Sequence, residues 1–195
     1  YPPIDTSPLN PPLTGLDRYR CAATDRLPLI HAHRAGADPG RLGHIDAAVE
    51  AATLVEAMRV GSRRNGASLL TTHVRLATPG AGDLRAAIRS GLMLGHLATV
   101  QGALWRALGL SEAEAAAVAG YQLVSGLVSA TVRLGQVGAI QGQQALQAVL
   151  PLVAEIAERP VAEEPDGAIT LTGFSPLVEV AAMRHARADL RLFAN

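Results

Sequence analysis

Apolar residues in this chain recur at intervals of three and four, and nowhere alternate at period two over a useful length. Strands are therefore not expected, and the fold must be assembled from helices. The clearest instance is Ile45, Val49, Ala52, Val55 and Met58, which share one helical face while Glu50 and Glu56 turn elsewhere. The side chains available for a core point the same way. Hydrophobic residues make up 49% of the 195 positions but aromatic residues only 3%, so the interior must be built from Ala, Leu, Val and Ile, which suits close-packed helices. The expectation is an all-α fold, a compact bundle of about seven helices.

Punctuation divides the chain. The first twelve residues hold five of the 12 prolines, so residues 1–24 read as a proline-rich N-terminal tail or linker and residues 25–195 as one helical domain. The first helix is expected over 27–35, ended by a turn at Asp38-Pro39-Gly40. A second runs over 44–60 and stops at Gly61-Ser62, where Ser62 caps a third that reaches 76. After Thr78-Pro79-Gly80, Asp83 caps a helix to 90, and another spans 95–108 with Gly109 at its C-terminal stop. Ser111 and Glu114 form a capping-box signature for a helix over 111–134, rich in the small residues Gly120, Ser125, Gly126, Ser129 and Ala130. A helix over 138–158 is bent near Pro151, and Ser175-Pro176 opens the last one.

Composition removes several classes of chemistry. All 17 basic residues are arginine and no lysine occurs, so a phosphate loop ending in Gly-Lys, a Schiff-base lysine and a Ser-x-x-Lys pair are absent. Seventeen acidic residues bring the formal charge to zero, which gives no overall attraction to nucleic acid or to anionic membrane. Cys21 stands alone, without a second thiol for a disulfide or a Cys-based zinc site, and suits a reducing cytoplasm. No secretory leader is visible, and a chain opening on Tyr1 is expected to have lost residues at its front. The charge-free stretches 115–132 and 134–154 carry Gln122, Gln136, Gln141, Gln143, Gln144 and Gln147, so they read as helices buried in protein rather than membrane spans.

Six histidines raise the question of a metal. The nearest cluster is His31-Ala32-His33, with His44 and Asp46 beyond a turn, but no Glu-x-x-His or His-Glu-x-x-His occurs, and His31 and His33 read as ordinary surface residues. His73 and His96 sit in apolar helices with no nucleophile or acidic orienter near in sequence, so they read as hydrogen-bonded core or boundary residues. Gly80-Ala81-Gly82-Asp83 lacks the third glycine of a dinucleotide loop and is a helix start. No catalytic site is expected. Arg133, a lone cation between charge-free helices, either complements a helix dipole or orients a partner's carboxylate. Met183, Leu190 and Phe193 near the C-terminus serve either as core or as a docking tail.

At these residues the sequence resembles the UreF family of urease accessory proteins. The family's closing pattern of Ser-Pro-Leu, Met-x-His-Glu and Ser-Arg-Leu-Phe is similar to Ser175-Pro176-Leu177, Met183-Arg184-His185-Ala186 and Leu190-Arg191-Leu192-Phe193. Its Arg-Leu-x-Pro-Leu-Gly with Gly-Gln is similar to Arg133-Leu134-Gly135-Gln136-Val137-Gly138 with Gly142-Gln143. Softer likenesses are the 59–66 stretch with Leu69-Leu70, and Gly95-His96 with Val100 and Gly102 before Leu108-Gly109-Leu110. The family's opening motif, Pro-x-Gly followed by Ser-x-Gly-x-Glu, is not in the chain.

The resemblance implies a cytoplasmic, non-enzymatic adaptor in nickel-dependent urease maturation. Such an adaptor binds UreD (also called UreH), recruits the GTPase UreG, forms homodimers and serves the urease apoprotein. It has no cofactor of its own, nickel being handled by the complex. The resemblance also implies partner-binding roles for His185, Arg191, Leu192 and Phe193 in a UreD-facing tail, and for Arg133, Gly138, Gly142 and Gln143 on a surface facing the GTPase or the dimer mate. The competing reading is a helical metal- or small-molecule-binding protein using His31, His33 and His44.

Overall fold

The computed structural model describes residues 25–163, 169, 171 and 176–186. Eight helices and no strand occur among them: α1 (Arg26–Ala35), α2 (Pro39–Ala52), α3 (Glu56–Arg75), α4 (Ala81–Arg89), α5 (Leu97–Ala107), α6 (Glu112–Arg133), α7 (Ala139–Glu158) and α8 (Pro176–Ala186). The all-α expectation holds.

The bundle is organised around α5, where every residue from Ala98 to Trp105 is buried. Its small residues let neighbouring backbones come close. Gly102 faces α1 so tightly that a Cβ there would lie 2.2 Å from the Leu29 carbonyl oxygen. Helices α1, α3 and α6 pack around α5, and α2 meets it near its N-terminal end. The main core includes Leu29, Ile30, Leu42, Leu70, Val100 and Leu104, to which the end of α7 adds Ala157. A second, smaller core of Val124, Val128, Leu146, Val149 and Val153 lies between α6 and α7, which form a long antiparallel hairpin.

Several helix boundaries follow local chemistry. Ser111 accepts from the Glu114 N–H while the Glu114 carboxylate accepts from the Ser111 N–H at 2.8 Å, the reciprocal box expected from the sequence. Gly109, at φ +82°, lets the N–H groups of Gly109 and Leu110 turn back to Arg106 and Trp105 and close α5. Asp38 caps α2 by accepting from Gly40 and Arg41, so Asp38-Pro39-Gly40 starts a helix as well as ending a turn. Asp83, expected as a cap, instead lies in the first turn of α4 behind Gly80.

The largest boundary correction concerns the 44–76 region. The chain does not break at Gly61-Ser62, which lies inside α3; it breaks at Thr53-Leu54-Val55. Thr53 turns its hydroxyl back to the Val49 carbonyl at 2.8 Å, and Arg59 donates to the Thr53 carbonyl at 2.9 Å. Arg59 and Arg63 also pair with Glu50 of α2 and Glu56 of α3, fastening the corner. Ser62 does cap a helix, but a remote one: its hydroxyl accepts from the Leu97 N–H in the first turn of α5.

An ion pair on the far side ties α1 to α6. Arg34 donates to both Glu112 oxygens at 2.8 Å and also reaches the Val161 carbonyl, which pins the chain after α7. The hydrogen bond between them raises the Arg34 pKa and holds the Glu112 carboxyl below the usual carboxylate range. A carboxyl depressed in the folded state contributes stability that is present above its ordinary pKa and lost as pH falls through the folded value. Glu112 is 41% exposed, so the contribution is small, about 1 kcal/mol at most. Glu112→Gln is expected to lower stability by that amount at neutral pH and to leave it nearly unchanged at strongly acidic pH, as read by urea melts across pH.

Candidate functional site

A buried polar scaffold sets the start of α5. Asp46, wholly buried on α2, accepts hydrogen bonds from the backbone N–H groups of Leu94, Gly95 (2.6 Å) and His96 (3.0 Å). A carboxylate at the N-terminal end of a helix satisfies orphan donors and meets the positive end of the dipole. His96, also fully buried, places Nε2 2.7 Å from Glu50. Glu50 in turn meets Arg59 and Arg63. The network therefore runs from α5 through α2 to α3 and ends in exposed or half-buried arginines; its geometry braces helices and leaves no nucleophile beside a base. Glu50, the acidic orienter of His96, was invisible in the sequence because 46 positions separate the two residues.

His33 and His73 make structural contacts. His33, read as a surface residue, is buried at 2% exposure, and its Nε2 lies 2.7 Å from the Leu110 carbonyl. That bond joins α1 to the turn between α5 and α6. His31 is half-buried, His44 is exposed and Asp46 is spent on amides, so the cluster His31, His33, His44 and Asp46 does not converge. Among the described residues no three His, Cys, Asp or Glu side chains come together to hold a metal ion. His73 bonds Thr78 at 2.9 Å and meets the Trp105 ring edge-on, with centroids 5.4 Å apart.

A second surface of interest lies on the α6–α7 hairpin. The charge-free helices were expected to be buried; only one face of each is. Helix α6 is long and apolar enough to cross a membrane by length and composition, and only 22% of its apolar stretch is buried. Gly120 brings its backbone against Val153, and Gly142 of α7 sits against Val128 and Val132, so the small residues close the hairpin. At 100° per residue these contacts leave Ile140, Gln143, Gln144, Gln147 and Leu150 on the outward face of α7. All five are exposed, Ile140 at 77%.

The residues singled out in the sequence divide accordingly. Arg133 is exposed at the end of α6, Gly138 precedes α7 with its N–H donated to Gln141, and Gln143 is exposed on the outward face. Gly142 is buried inside the hairpin and acts through packing. These four thus gather at one tip. His185 falls within α8, while Arg191, Leu192 and Phe193 lie outside the described residues.

The family model described as UreF matches residues 17–150. A urease accessory protein UreF of Kocuria rhizophila is 32% identical over 181 residues, covering 88% of this chain and 74% of that protein. One of Cereibacter sphaeroides is 32% identical over 176 residues, with 90% of this chain and 75% of the relative covered. Another, from a different strain of that species, is 39% identical over 87 residues, which span 44% of this chain and 40% of the relative's length.

Proposed function

Since the chain belongs to the UreF family of urease accessory proteins, we propose that it acts in urease maturation as a non-catalytic adaptor whose outward α7 face and C-terminal tail hold partner proteins. The partners are UreD (UreH), the GTPase UreG and, through the complex, the urease apoprotein in the cytoplasm. Nickel is handled by the assembly, without a cofactor resident in this chain. The absence of lysine fits this division of labour, since a chain with no Gly-Lys phosphate loop relies on a partner to bind GTP.

The observation that carries the reading is the outward face of α7. No charge occurs from Ala139 to Ala154, and Ile140 and Leu150 stand exposed among three glutamines. Apolar anchors with adaptable amides and few charges are the composition of an interface centre. Arg133 at the tip adds a cation able to meet a partner carboxylate.

Co-purification with UreD and UreG provides the test. Ile140→Glu is expected to weaken UreG recruitment roughly tenfold or more while leaving the helical circular dichroism spectrum intact. A chain ending before His185 is expected to lose UreD. Undiminished capture of both partners by both variants would sink the adaptor reading of these surfaces. The competing metal-binding reading predicts stoichiometric nickel binding by the isolated chain, abolished by replacing His31 and His33; the engagement of His33 with the Leu110 carbonyl argues against it.

A further inference from the structure

The connector between α4 and α5 presents apolar side chains to water on a backbone anchored at both ends. Leu92 is 61% and Leu94 41% exposed, while Met93 between them is buried. Gly91, at φ +80°, turns the chain so that the Leu92 N–H returns to the Ala87 carbonyl at 3.0 Å. The N–H groups of Leu94, Gly95 and His96 are fixed by the buried Asp46 carboxylate. Gly43 of α2 lies so close that an added Cβ would stand 2.5 Å from the Leu92 carbonyl oxygen.

The free charge beside these leucines has one sign. Arg85 and Arg89 are exposed on α4, four residues apart and so on one face. Neither guanidinium is paired with an acid among the described residues. Arg89 stands in the last turn of α4, where it complements the helix dipole. Arg85 has no such role, and like charges four apart oppose helix formation. The acids within α2 and α4 are spent or turned away. Asp46 holds the three amides, and Glu50 meets His96, Arg59 and Arg63. Asp83 lies about 200° round α4 from Arg85. Ala47, one turn on from Gly43, is exposed and uncharged on the face that meets the connector.

Folding gains nothing from leaving two leucines in water or from setting two arginines a turn apart, whereas an interface gains from both. A backbone fixed beforehand loses little freedom on docking. The guanidinium fork matches a carboxylate with two parallel hydrogen bonds. Basic clusters that dock on anionic membranes hold about four to eight Lys or Arg, and this patch has two, which favours a protein partner.

We infer that this surface docks an acidic segment of a partner protein, whose apolar side chains cover Leu92 and Leu94 while its carboxylates pair with Arg85 and Arg89. The inference uses neither the α7 face nor the C-terminal tail and stands apart from the adaptor reading.

Titration of the isotope-labelled full chain with a peptide of Glu-Leu-Leu-Glu repeats tests it, the glutamine counterpart serving as control. The Leu92 and Leu94 methyl peaks are expected to shift with the acidic peptide while those of Ile140 and Leu150 stay in place. Binding should weaken as salt is raised and fall roughly tenfold or more with the glutamine peptide, and equally with the double variant Arg85→Gln, Arg89→Gln. Leu92→Ser, with both arginines intact, should also weaken it. Leu92 and Leu94 peaks that stay unmoved, or binding that the arginine variant leaves unchanged, overturn the inference. So do peaks that shift with phosphatidylglycerol vesicles but not with the peptide, or with protein concentration alone, because the occupant would then be a membrane or a second copy.

Discussion

Asp46→Ala is expected to cost about 3–5 kcal/mol, enough to leave the chain largely unfolded under mild denaturing conditions. The carboxylate is wholly buried and accepts from three consecutive backbone N–H groups just ahead of α5. Alanine removes the acceptor and leaves those donors with neither water nor a protein partner. Since a domain's whole stability is about 5–15 kcal/mol, a loss of this size consumes a third or more of it. Asp46→Asn retains an acceptor oxygen but not the charge, so an intermediate loss is expected. Urea titrations of the three proteins check the order; an alanine variant within about 1 kcal/mol of the parent would show that the amides find other partners.

The second large effect is expected at Gly102. Its Cα approaches α1 so closely that an added Cβ would meet the Leu29 carbonyl oxygen at 2.2 Å, the Ala32 Cβ at 2.8 Å and the His33 nitrogen at 2.9 Å. Two of these are backbone atoms, which cannot rotate aside as a side-chain tip can. Gly102→Ala should therefore push α1 and α5 apart and cost about 3 kcal/mol, at the upper end of overpacking effects, despite alanine's better helix propensity. Gly126→Ala is the control. That glycine lies in α6 with nothing within 4 Å of the added Cβ, so the same substitution there should stabilise by about 0.5–1 kcal/mol. Thermal melts that moved the same way for both variants would contradict the packing argument.

These two sites also show where sequence reading succeeds and where it stops. Gly102 was noticed through the family likeness, yet its reason, an α1 carbonyl pressed against it, needed coordinates. Asp46 was noticed as a stray acid near three histidines, and became the cap of a helix that begins 51 positions later, at Leu97. Ser62 was read as a cap and is one, for α5 rather than for its own neighbours. His33 was placed on the surface because His31-Ala32-His33 lacks the four-residue spacing of a helical metal pair; a carbonyl 77 residues away holds it inside. The tip residues Arg133, Gly138, Gly142 and Gln143 were grouped by a motif, and the hairpin does gather them, but it sends Gly142 inward and Gln143 outward.

The sequence by itself determined the all-α class, the starts of α6 and α7, the stop of α5 at Gly109 and the family. Those signals are local: capping pairs, proline and glycine punctuation, a three-to-four apolar period, and motifs that keep their spacing whatever surrounds them. Only the tertiary structure decided that α2 and α3 part at Thr53 rather than at Gly61, that Glu50 orients His96, and which face of α7 stays in water. Each of these depends on groups far apart in the chain. A glycine in a helix costs too little to break it when arginines on the next turns are held by glutamates across the corner, and a buried polar atom takes the nearest partner in space.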